Sequence, residues 1–193
     1  MSQIPEHILE WRRQTDAGRR DEVWEGVLHM APDPTIPHQE LGGELLHWLK
    51  LHWARGQSRR VLTEVDVSRP GIPNWTKDFR CPDLVVLTGD DRAIDRVTHF
   101  EGGPSVVIEI RSPSDESYDK LPFYAAIGCK EIWIVDRDSR ASEIYAVDDG
   151  EAVRKPADAD GWLASCIGVE LRTESRKLEI RLAGDDASRA ALP

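Results

Sequence analysis

Two carboxylates stand in apolar runs of this chain, where an acid needs a reason to be. Asp83 opens Asp83-Leu84-Val85-Val86-Leu87, and Glu109 lies near the end of Val106-Val107-Ile108-Glu109-Ile110-Arg111. β-Branched enrichment makes both runs read as buried strands. A carboxylate taken out of water either shifts its pKa or shares a cation, from a side chain or a divalent metal. Side chains of a strand alternate between faces, so Val107, Glu109 and Arg111 fall on one face and Val106, Ile108 and Ile110 on the other. Asp83 sits at the very start of its strand, where a polar group can reach a sheet edge or cleft mouth. If the two strands pair, the carboxylates meet, with Arg111 and Lys120 as cations close behind. The blander alternatives are an Asp83 that faces a turn and a Glu109–Arg111 ion pair without chemistry.

The elements that must position these groups follow from periodicity. A helix is expected over 38–54, because Leu41, Leu45, Trp48 and Leu49 recur at three- and four-residue steps and Gly56 follows. Before it come a helix over 5–15, with Ile8 and Trp11 on one face, a strand over about 22–30, and a loop over 31–37 that holds three prolines. Residues 60–67 alternate as one strand, 68–75 form a turn-rich excursion, and 89–101 form a charged loop. Ser114 or Asp115 is the expected N-cap of a helix ending before Gly128, which Pro122 either starts late or distorts in its first turns, with Lys120 and Tyr124 four apart on one face. Strands are expected at 131–135 and 142–147 around a turn at 136–140, a loop over the acidic 148–160, and a last edge strand at 178–182. The order is an α/β mixed sheet with a crossover after Glu109.

Pro82-Asp83 followed by a strand ending in Glu-x-Arg resembles the PD-(D/E)XK nuclease signature. More of the chain is similar to one branch of it, the Uma-two family of restriction-endonuclease-like proteins. The similarity rests on Glu22-Val23-Trp24-Glu25-Gly26-Val27-Leu28, Ala31-Pro32, His38, Cys81-Pro82-Asp83 and Val107-Ile108-Glu109-Ile110-Arg111-Ser112-Pro113-Ser114. It continues through Lys120 to Gly128 and Glu131-Ile132-Trp133-Ile134-Val135-Asp136, covering roughly residues 20–147. The resemblance implies a restriction-endonuclease-like core, a mixed β-sheet flanked by helices in a single domain over 1–183, with a flexible tail at 184–193. It implies hydrolysis of nucleic-acid phosphodiesters with Mg²⁺ or Mn²⁺ on Asp83 and Glu109. The superfamily lysine two residues after the glutamate is here Arg111, which stays protonated and serves as a charged fork. The family commonly carries its lysine on the following helix, so Lys120 is expected to orient water and Arg111 to meet phosphate. Glu22, Glu25 and His38 match recurrent polar positions and are assigned around the first ring of ligands. Two of them have a plain alternative: a cross-strand ion pair for Glu25, a cap of the following helix for His38.

Composition bounds the rest. With 193 residues, 40% hydrophobic and seven Trp, the chain can build one sizeable core. No run of about 18 apolar residues offers a membrane span, and residues 1–11 lack the order of a secretory signal, so a cytoplasmic protein is expected. Three widely spaced cysteines fit reduced thiols rather than zinc. A net charge of −10 opposes a phosphate backbone. It favours the alternative of a nuclease-fold protein that binds or regulates without cutting. Arg55, Arg59 and Arg60, with Arg12, Arg13, Arg19 and Arg20, are candidates for a local basic patch, though exposed arginine is common. Trp75, Trp133 and Trp162, if exposed, would suit a homodimer; core tryptophan is the plainer account.

Overall fold

In the computed structural model, which describes residues 6–15, 18–56 and 58–193, each element forms for reasons visible in its residues. Helix α1 (Glu6–Thr15) precedes a hairpin of β1 (Glu22–Trp24) and β2 (Val27–His29). Glu25 and Gly26, both at positive φ, make its two-residue turn and split the single strand expected there. Helix α2 (Ile36–Trp48) starts with Pro37 in its first turn, widens into a π-helical turn at Leu49–Trp53, and stops before Gly56 at φ 73°. It buries Leu41, Leu45 and Trp48, the stripe its spacing predicts.

Residues 60–67, expected as one strand, form two: β3 (Arg60–Thr63) and β4 (Val67–Ser68). Glu64 lies between them at φ 53°, donates its N–H to the Asp83 carbonyl, and turns the chain from one sheet into another. Then come β5 (Phe79–Arg80), β6 (Leu84–Leu87), β7 (Ile94–Asp95), β8 (Phe100–Glu101) and β9 (Val106–Arg111). A 3-10 turn at Ser117–Lys120 leads into α3 (Leu121–Ala126), with Pro122 in its first turn. The chain closes with β10 (Glu131–Asp136), β11 (Ser142–Asp148), β12 (Glu151–Arg154), β13 (Leu163–Ala164), β14 (Val169–Glu174), β15 (Lys177–Leu182) and β16 (Asp185–Leu192).

The central sheet has the order β12-β11-β10-β9-β6-β3, with β9 and β10 parallel and the other neighbours antiparallel. The parallel pair is joined by the crossover through α3 that the strand–helix–strand order requires. A second sheet, β2-β1-β5-β4-β8-β7, and a third, β13-β14-β15-β16, complete the fold. One face of the central sheet buries Val106, Ile108 and Ile110 against α2 and the third sheet. The other buries Val85, Val107 and Ile132 against Phe123, Tyr124 and Ile127 of and after α3.

Four expectations are corrected here. Residues 185–192, taken as a frayed tail, form β16, because Ser188 and Leu192 turn inward and the strand pairs with β15. That makes 178–182 an interior strand rather than an edge, and part of the acidic 148–160 stretch forms β12. Trp133 and Trp162 are buried, so neither offers a dimer surface, and Trp75 stacks on His99 with ring centres 4.0 Å apart. No helix among the described residues is long and apolar enough to cross a membrane.

Candidate active site

The register of β6 against β9 brings the two acids together. Leu84 pairs with Ile108, so the next step of the ladder sets Asp83 opposite Glu109 on the face shared with Val85 and Val107. Asp83 is fixed by Oδ2, which accepts the Ile110 N–H at 2.7 Å, while Oδ1 faces His38 Nε2 at 3.3 Å. His38 comes from the first turn of α2, so the start of that helix reaches the site.

Glu109 is buried, and the 3-10 turn at Ser117–Lys120 and α3 after it supply its partners. Lys120 Nζ donates to both carboxylate oxygens, at 3.2 and 3.1 Å, and the Tyr124 hydroxyl, one helical turn later, donates to Oε1. Lys120 also meets Glu22 Oε1 at 2.8 Å. Glu22 in turn accepts the Cys81 N–H on Oε1 at 3.0 Å and the Trp24 indole N–H on Oε2 at 2.7 Å. Two carboxylates therefore share one ammonium, with the charge of Asp83 acting on it from further away. Burial pushes the Glu109 carboxyl up, with Lys120 pulling it down and Asp83 and Glu22 pushing it further up. Burial disfavours the Lys120 ammonium, yet Glu109 and Glu22 outweigh that and hold its pKa well above the ordinary value. Tyr124 is likewise pushed up by burial and by Glu109.

A cavity of about 770 Å³ opens onto this cluster and is lined by Glu22, His38, Asp83, Glu109 and Lys120. Its walls are the loops 30–35 and 112–117, and Arg20 and Arg137 reach it as well. His29 of β2 meets Glu116 of the second loop at 2.8 Å.

Of the residues singled out in the sequence, Asp83, Glu109, Lys120, Glu22 and His38 come together. Arg111 does not line the cavity: its guanidinium pairs with Asp136, in register on β10, at 2.6 Å and lies over the Tyr118 ring. Glu25 is an exposed turn residue whose N–H donates to Asp78. Among the described residues, four arginines of the candidate basic patch are engaged elsewhere. Arg60 pairs with Asp95, Arg59 donates to the Trp53 carbonyl, and Arg19 and Arg20 face Glu64. The side chains of Arg12 and Arg13 lie outside the described residues. Sequence reasoning missed Tyr124 as a partner of Glu109, although its four-residue spacing from Lys120 was the available signal. It also missed Arg137, which no pattern marked.

A family model described as "putative restriction endonuclease", Uma2, matches residues 5–174. A crystal structure of a "putative nuclease" from Anabaena variabilis superposes with a TM-score of 0.58 at 16% identity, over 75% of this chain and 80% of that one. That likeness establishes a shared fold. No curated protein matches the chain.

Proposed function

We propose that this chain, which belongs to the Uma2 family, hydrolyses phosphodiester bonds of nucleic acid with a divalent cation held by Asp83 and Glu109. The observation that carries the reading is the register that sets these two carboxylates opposite each other at the base of a cavity, with Lys120 in contact with Glu109.

The donor set fits a hard cation. Asp83 and Glu109 offer oxygen ligands, and the acids outnumber the lysine in a site where excess negative charge is costly. Among the described residues no three His, Cys, Asp or Glu side chains converge closely enough to enclose an ion. Mg²⁺ commonly binds through one or two carboxylates, which is what Asp83 and Glu109 offer. Bound there, it would lower the pKa of a water and neutralise charge on the phosphodiester. Lys120, held protonated by its acidic neighbours, serves as a donor that orients water and offsets developing charge, and not as a base. Tyr124 and the Ile110 N–H fix the two carboxylates from behind. Arg111 supports β10 through Asp136 rather than meeting phosphate.

The test is cleavage of plasmid, single-stranded DNA and RNA with Mn²⁺, beside Asp83→Ala as the contamination control, and Mn²⁺ binding by Asp83→Ala and Glu109→Ala. Cutting by the wild type alone supports the reading. Metal binding retained by both variants sinks the ligand assignment. A role in binding without hydrolysis is the reading that the net charge of −10 favours, and the absence of both cutting and Mn²⁺ binding would select it.

A further inference from the structure

Three Lys or Arg side chains line the cavity: Arg20, Lys120 and Arg137. Lys120 is held between Glu22 and Glu109, and Arg20 is paired with the half-buried Glu64. Arg137 is placed differently. Its acidic partner is the neighbouring Asp138, which accepts from Nε at 3.0 Å and from Nη2 at 3.1 Å and is itself half exposed, so a phosphate that displaces it takes over a two-pronged contact while the carboxylate goes to water. Its Nη1 donates to Thr35 Oγ1 at 3.1 Å and to Ser112 Oγ at 3.3 Å, one hydroxyl from each of the two loops that wall the cavity. Those hydroxyls are neutral, so they orient the guanidinium without cancelling its charge.

The Arg137 N–H donates to the Arg111 carbonyl at 2.8 Å, which sets Arg137 level with the end of β9. Arg111 is two residues past Glu109, about 7 Å along an extended strand. The guanidinium therefore stands beyond the carboxylates and not over them.

We propose that Arg137 is a substrate-binding residue that takes a non-scissile phosphate of the nucleic-acid strand, one step along the backbone from the phosphate at Asp83 and Glu109. This rests on the nuclease reading and deepens it. A planar guanidinium fork suits two phosphate oxygens at once. Asp138, already exposed, returns to water when phosphate takes its place. Arg111, the residue from which sequence led one to expect this contact, is occupied by Asp136.

The test compares wild type, Arg137→Gln, Arg137→Lys and a Thr35→Val/Ser112→Ala double variant. Each is assayed for Mn²⁺-dependent cleavage of a fluorescent oligonucleotide and for metal-free binding of the same probe by anisotropy at several salt concentrations. Thermal unfolding checks that each variant folds. Arg137→Gln is expected to raise KM about ten-fold with kcat unchanged, as loss of uniform binding does. Its plot of log affinity against log salt should be shallower by about one, the mark of a lost phosphate contact. Arg137→Lys should keep the salt slope and recover part of KM, and the double variant should keep the slope. An Arg137→Gln variant with unchanged KM and slope, or with kcat lowered and KM intact, overturns the proposal while leaving the nuclease reading standing. A double variant that loses as much as Arg137→Gln also overturns it, since Arg137 would then act by tying the loops. A wild type that neither binds nor cuts the probe overturns the nuclease reading and this proposal with it.

Discussion

Lys120 touches both Glu109 and Glu22, two acids that are almost wholly buried, and its removal is informative in the metal-free protein. Lys120→Met leaves both carboxylates without their ammonium, a change that costs about 3 kcal/mol when a buried pair is broken. The Glu109 carboxyl already has a folded pKa above its unfolded one, so its contribution to stability falls as pH rises through that interval. Losing Lys120 widens the interval. Urea unfolding should therefore show a larger loss for Lys120→Met at pH 8 than at pH 5, where the carboxyls take up protons. Equal losses at both pH values would mean that Lys120 acts through packing alone. The site was only partly legible at this scale. β-Branched runs pointed to Asp83 and Glu109, and resemblance supplied Lys120. Alternation gives a face but not a reach, however, and Asp136, level with Arg111 on the parallel neighbour, captured the arginine. Arg137 meets Thr35 across 102 residues of sequence, a closure that no local pattern encodes.

Elements hold the site through a few close approaches, and Gly103 is the tightest. Its N–H donates to the Ile127 carbonyl at 2.7 Å, and a Cβ added there would lie 2.1 Å from the Cys129 nitrogen and 2.3 Å from the Gly128 carbonyl carbon. The start of β9 is thus pressed against the turn from α3 to β10, the crossover that sets Lys120 beside Glu109. Gly103→Ala must push backbone from backbone, so a loss of about 3 kcal/mol in urea unfolding is expected, the upper range for overpacking. A loss near zero would show that the crossover has slack. Asp66, between β3 and β4, is pushed up to about 6 by burial, with a Cys81 hydrogen bond opposing and Glu22 reinforcing the rise. An acid raised in the folded state destabilises it as pH climbs from the unfolded value of about 4 to about 6. Asp66→Asn keeps an acceptor for Cys81, so its melting temperature relative to wild type should increase from pH 4 to pH 7; a constant difference would refute the linkage. Helix α2 and strands β6, β9 and β10 were legible because long apolar periodicity names its element. The β14–β15 hairpin turns on Ser175 and Arg176, both at positive φ without the Gly or Asn that usually announces such a turn, which hid β14 beside the expected strand at 178–182.

At the scale of the whole molecule the third sheet is the part furthest from the motif, yet it shares the core that carries the site. Leu178 and Ile180 of β15 and Leu192 of β16 belong to the same cluster as Leu41, Leu45 and Trp48 of α2. The Trp48 indole N–H donates to the Ser188 carbonyl at 3.0 Å. Helix α2 thus lies between the central sheet and the third one, and its first turn holds His38 against Asp83. The family match ends at residue 174, before β15 and β16 begin. A chain cut after Glu174 would leave the α2 core without three buried leucine or isoleucine side chains, a deficit of about 4.5–9 kcal/mol in hydrophobic burial. Domains of this size are stable by about 5–15 kcal/mol, so the loss is comparable to the whole margin. The truncated chain should accordingly lose its cooperative urea transition and its Mn²⁺ binding together. A truncated chain that still unfolds cooperatively and binds Mn²⁺ would show that the central sheet and α2 hold Asp83 and Glu109 unaided, and that the last two strands serve another surface.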